Sequence, residues 1–269
     1  MTKTVVTILC SLGVLASFVV VVAGRHVEAT ERGGNDVPWR ARARSELGVV
    51  CAAIAAGALG GLLSIGMGGR LMMRVLAATS PDANGRLTDA DEIVGEVSGG
   101  GTGFLLAAGT FMGIVGAIGY LSARRLLPAR SLTAGLVGVG IAGGLLARPS
   151  GVLDPENHDF AILEPRWLAV VLCLAVIAIG PLTIAILVDR WVPLWPTPGP
   201  SIRGLAGLAP LALLALIPPL LVALAVVVAA RTIRYPRPPA LMRLGRVVLP
   251  AGGAVGLAWI AVSGVAILV

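Results

Sequence analysis

Two arginines four residues apart, Arg70 and Arg74, are the side chains in this sequence best suited to hold a charged group. Positions i and i+4 share a helix face. A helix through residues 66–74, Gly-Met-Gly-Gly-Arg-Leu-Met-Met-Arg, therefore sets two guanidinium forks side by side. Each fork matches the two oxygens of a carboxylate or phosphate. The acids that follow within reach are Asp89, Asp91, Glu92 and Glu96. Arg70, Arg74, Asp91 and Glu96 together make the candidate site. It reads as a structural ion pair that holds the loop on the bundle, or as a site for an anion or lipid headgroup; the plain alternative is that both arginines snorkel to headgroups. Ser80-Pro81 suits a helix start, and Thr88 with Asp91 resembles a capping box. Leu87, Ile93, Val94 and Val97 then form the apolar stripe of a short surface helix. The run Gly99-Gly100-Gly101-Thr102-Gly103 opens the next apolar segment with free backbone N–H groups, a further place for an anion.

A second cluster, Asp154, Glu156, His158, Asp159 and Glu164, has the ligand types of a divalent cation site. Its spacing misses the EF-hand pattern, and a metal-free acidic loop is expected, with Asp159 or Glu164 paired to Arg148 or Arg166. Asp189 is expected to pair with Arg190 or another interfacial group. Cys10, Cys51 and Cys173 each stand alone in apolar runs and read as buried thiols. HExxH, GxSxG and Walker A motifs are absent, and both histidines, His26 and His158, lie between apolar runs. No catalytic, cofactor-binding or metal residue is assigned, and no cofactor is expected.

The elements that must position these residues are membrane helices. Of the 269 residues 57% are hydrophobic and 13% charged, with a mean hydropathy of +0.92. Soluble domains carry about a quarter charged residues, so a soluble globule, a disordered chain and a fibrous protein are excluded. The fold class is all-α: a polytopic transmembrane helical bundle in a single domain, 1–269. About 20 apolar residues cross a bilayer. Six to seven segments qualify: 4–24, 47–68, 103–123, 131–147, 167–188, 204–230 and 247–269. The first is long for a signal peptide and reads as a retained helix. Gly57/Gly61, Gly109/Gly113, Gly140/Gly144 and Gly252/Gly256 form GxxxG pairs for close helix packing, within the chain or between copies.

Loop charge gives an orientation. The loops after the first and third segments carry Arg25, Arg32, Arg40, Arg42 and Arg44, and then Arg124, Arg125 and Arg130. Loops two and four hold nine of the fourteen acids. Positive loops are cytoplasmic, so loops two and four are expected outside. Loop six resists, with Arg231, Arg234, Arg237, Arg243 and Arg246 and no acid. With seven crossings Lys and Arg divide 10 inside against 11 outside; if the sixth segment does not cross, they divide 15 against 6. Pro210 and Pro218-Pro219 interrupt that segment, so a re-entrant or broken sixth helix is a second expectation. The residues after the fifth segment, Trp191, Trp195 and four prolines, read as an interfacial aromatic anchor.

The Gly-Gly-Arg-Leu-Met-Met-Arg run and the Gly-Gly-Thr start of the next helix resemble a group of actinobacterial multi-pass membrane proteins, over about residues 55–190. The resemblance implies a bacterial plasma-membrane location and no particular activity. The arginines flank apolar runs, so membrane lipids are the expected partners rather than nucleic acid. Another membrane protein, or a second copy docked through small-residue faces, is a further partner class. The function expected is a non-enzymatic integral membrane protein; the alternative is a transporter or lipid-binding permease with an anion site near Arg70 and Arg74.

Overall fold

The computed structural model describes residues 2–24, 38–88, 93–144, 151–215 and 239–269. Among them the chain is all-helical, apart from one isolated antiparallel bridge, Leu87 with Ile93. Helix α1 is Thr2–Gly24. Helix α2, Trp39–Gly61, runs through one wide π-turn, Leu62–Gly66, into α3, Met67–Thr79. The others are α4 (Gly99–Ala123), α5 (Ser131–Ala142), α6 (His158–Ile162), α7 (Arg166–Trp191), α8 (Ile202–Ala206), α9 (Leu211–Ala215) and α10 (Pro239–Leu268).

Among the described residues five helices are long and apolar enough to cross a membrane: Lys3–Gly24, Trp39–Thr79, Gly99–Leu126, Arg166–Leu194 and Met242–Leu268. Two expected segments are described only in part. In segment 131–147 the α-helix Ser131–Ala142 continues with helical turns through Gly144, and 145–150 lie outside the described residues. Of segment 204–230 only 204–215 are described, and there α8 and α9 stand on either side of an interruption at Pro210. Pro210 brings no N–H to the ladder, and the backbone around it closes i→i−3 bonds, such as Leu211 N–H to the Leu208 carbonyl. Pro218-Pro219 lie outside the described residues.

Glycine sets the closest approaches. A Cβ on Gly57 would meet the Gly113 carbonyl oxygen at 2.5 Å, and one on Gly61 would meet that of Gly109. The second and third segments thus use their GxxxG faces on each other. Gly140 meets the Gly253 carbonyl, and Gly144 lies on Gly256. Gly252, expected in that seam, has nothing within 4 Å. The outward face of α1, with Leu9, Leu12, Leu15 and Phe18, is exposed, and its inner stripe is Cys10, Gly13, Ser17 and Gly24.

The contacts define two ends. At one end loops two and four meet: the Ser80 hydroxyl donates to the Glu164 carbonyl and accepts from the Glu164 N–H at 2.7 Å. Leu76, Ala83 and Val94 share one core there with Leu153, Phe160, Val170 and Ile267. Lys3 at the start of α1 donates to the Gly95 carbonyl at 3.1 Å. At the opposite end Arg124 reaches Asp189, and Gly245 of α10 packs on Leu126. Helices α5 and α10 run parallel, since Val137 meets Gly253 and Gly143 meets Ile260. The chain therefore leaves α7 and starts α10 at the same end of the bundle.

Candidate functional site

The helix carrying Arg70 does not stop near residue 68. Leu71, Met72, Met73, Val75, Leu76, Ala77 and Ala78 keep it apolar and it runs to Thr79. Arg70 thus lies nine residues, about 13 Å, before the helix end. The π-turn at Leu62–Gly66 adds to this. One inserted residue rotates everything after it by about 100°, so the face that Arg70 presents does not follow from the Gly57/Gly61 face by ideal periodicity. Gly13 of the antiparallel α1 packs on Met67. Arg70 is then level with Cys10, about 10 Å deeper than Lys3.

Arg70 is 2% exposed. Its Nη1 approaches the Met73 sulfur at 3.9 Å, a weak acceptor. Its Nε and Nη2 are buried and have no partner among the described residues. Those two nitrogens form one edge of the guanidinium, the edge that grips two oxygens at once. Arg74, one turn on and partly buried, places Nη1 a long 3.4 Å from the Gly95 carbonyl, and its Nε has no partner either. Neither arginine forms an ion pair with a carboxylate among the described residues. An arginine cannot shed its charge, and burying an unpaired ion costs on the order of several kcal/mol. The two side chains line a pocket of about 80 Å³ with Met73, Gly95, Glu96 and Asp159. Glu96 is exposed at its rim, and Asp159 has a partner of its own. Asp91 lies outside the described residues.

The pocket roof is loop two. The short surface helix expected there is replaced, in the described part, by a hairpin-like turn. Gly85 N–H donates to the Val94 carbonyl at 3.0 Å and Val94 N–H to that of Arg86 at 2.9 Å. Gly85 and Gly95, with φ of 86° and 85°, take the left-handed backbone that favours glycine. Ser80 caps nothing, because its hydroxyl is spent on Glu164. Ser98 caps α4 by accepting from Gly101 N–H at 2.9 Å, so the helix begins at Gly99, within the glycine run.

The other constellations are self-contained. Asp189 is 6% exposed, and its partner is Arg124, not Arg190. Arg124 Nε donates to Oδ1 at 3.0 Å, and Tyr120 (2.7 Å) and Ser131 (2.6 Å) donate to Oδ2. The remaining Arg124 nitrogens donate to the Pro128 and Ala129 carbonyls at 2.8 and 2.6 Å. The sequence reading missed this network; Tyr120 and Arg124 at i and i+4 were its only visible part. In loop four, Asp154 accepts from Glu156 N–H at 3.0 Å, and Asn157 caps α6 through Asp159 N–H at 2.8 Å. Among the described residues no group of three His, Cys, Asp or Glu side chains is placed to hold a metal. The three cysteines are buried and unpaired. Trp191 and Trp195 stack at 6.1 Å, and Trp195 Nε1 donates to the Gly207 carbonyl at 3.0 Å. Beside them an open apolar groove of about 600 Å³ runs past Leu59, Leu62, Thr110 and Leu213.

No family model, curated protein or solved structure matches this chain.

Proposed function

We propose that this chain is a non-enzymatic integral protein of the bacterial plasma membrane that binds an anionic group, from a lipid or from solution, at the Arg70 pocket. One observation carries the reading: a guanidinium 2% exposed whose gripping edge has no partner among the described residues and borders a pocket. An ionisable group at membrane depth with no counter-ion among the described residues calls for an occupant. Loops two and four, with the pocket beneath them, face outside in this reading. The start of α10 at the end where α7 finishes supports it, since Gly245 on Leu126 puts Arg243 and Arg246 at the same end as Arg124 and Arg125 of loop three. The glycine faces Gly57/Gly61 and Gly109/Gly113 are occupied within the chain, which favours lipid over a second copy as partner. A permease reading draws on the Pro210 interruption beside the apolar groove.

Native mass spectrometry of the protein released from mild detergent tests the reading. The wild type is expected to carry an anionic adduct, and a folded Arg70→Gln variant to lack it. A folded wild type that stays free of adducts after reconstitution with anionic lipid ends the reading.

A further inference from the structure

Resting on the anion reading of this pocket, we propose that its ligand is a phosphate-type oxyanion, gripped side-on by Arg70 and shared with Arg74. Three buried nitrogens lack an acceptor among the described residues: Nε and Nη2 of Arg70, and Nε of Arg74. A carboxylate has two oxygens, and the Arg70 edge takes both. A phosphate group keeps further oxygens for the Arg74 nitrogen one helical turn away. The pocket, about 80 Å³, has room for one such group, since a water takes about 30 Å³. Two further donors stand in reserve. Lys3 Nζ and Arg74 Nη1 both point at the Gly95 carbonyl, at 3.1 and 3.4 Å. A neutral carbonyl answers two cations only weakly, so an oxyanion beneath it competes for both. Donors reaching from α1 and α3 thus converge on one point from two helices.

The shared chemistry is a phosphate oxyanion, and two sources offer it: the headgroup of an anionic phospholipid, or free phosphate. Protein in nanodiscs of neutral lipid is titrated with inorganic phosphate and, separately, with succinate, reading thermal unfolding and bound ligand. A parallel preparation in nanodiscs containing phosphatidylglycerol is released for native mass spectrometry. Stabilisation by phosphate assigns the free ion; retained phosphatidylglycerol assigns the lipid; either supports the proposal if Arg70→Lys, which keeps the charge and loses the fork, weakens binding about tenfold or more. Equal or tighter Arg70-dependent binding of succinate overturns the phosphate assignment and leaves the anion reading standing. A folded wild type that binds none of the three overturns both. So does Asp91→Asn or Glu96→Gln reproducing the stability loss of Arg70→Lys without added ligand, because the occupant is then a carboxylate of the chain itself.

Discussion

Asp189 shows how far a single side chain can organise one end of a bundle. It accepts from Arg124, Tyr120 and Ser131, drawn from α4, its following turn and α5. With every strong donor answered, this is a latch on loop three. Removing one partner of a buried ion pair is costly, about 3–5 kcal/mol. Asp189→Ala is therefore expected to destabilise the protein by that order, and Tyr120→Phe by about 1.5–3 kcal/mol, the range for a hydrogen bond to a charged group. Unfolding in detergent followed by tryptophan fluorescence measures both; equal stability of Asp189→Ala and wild type refutes the latch. The sequence showed Tyr120 and Arg124 on one face, but Asp189 lies 65 residues from Arg124, and nothing local joins them. Arg70 was legible in the opposite sense. Its type and its i, i+4 spacing with Arg74 were visible, its burial was not, because a helix end expected near residue 68 falls at Thr79.

At the scale of elements, glycine decides which helices touch. Gly113 lies where a Cβ would meet the Gly57 backbone, whereas Gly119 on the same helix has nothing within 4 Å. Backbone cannot yield as a flexible side chain does. Gly113→Ala is expected to separate α2 from α4 and lower the unfolding temperature markedly; Gly119→Ala leaves it unchanged or raises it, as helix propensity favours alanine by up to about 1 kcal/mol. Similar unfolding temperatures for the two variants would contradict the seam. The GxxxG spacing was visible in four segments, yet spacing names no partner. In α10 the seam keeps Gly256 but uses Gly253 in place of Gly252, because the packing of α5 selects which face is buried. The Leu62–Gly66 π-turn is a similar case: a register change leaves no mark in an apolar run.

For the whole molecule, the division of charge between loops was readable from the start, and the sixth segment was the one conflict. Val137 against Gly253 and Gly245 against Leu126 resolve how α10 starts, a long-range pairing that periodicity does not encode. Single cysteines at positions 125, 205 and 243 are expected to react with an impermeant maleimide from one side of the membrane, and those at 82 and 156 from the other. The native thiols are buried and add little background. Labelling of position 243 together with 82 would reverse the order of the last helix. The depth of Arg70 carries one more consequence, an electrical one. About 10 Å below Lys3 is roughly a third of a 30 Å hydrocarbon core. A monovalent anion seated there has crossed about a third of the transmembrane field. The whole field is worth about 2.3 kcal/mol per charge at 100 mV, so a third is worth about 0.8 kcal/mol. In the proposed orientation, with the pocket opening outward and the cell interior negative, an energised membrane is expected to hold the proposed anion about fourfold less tightly than a depolarised one, so its binding would answer to voltage as well as to concentration.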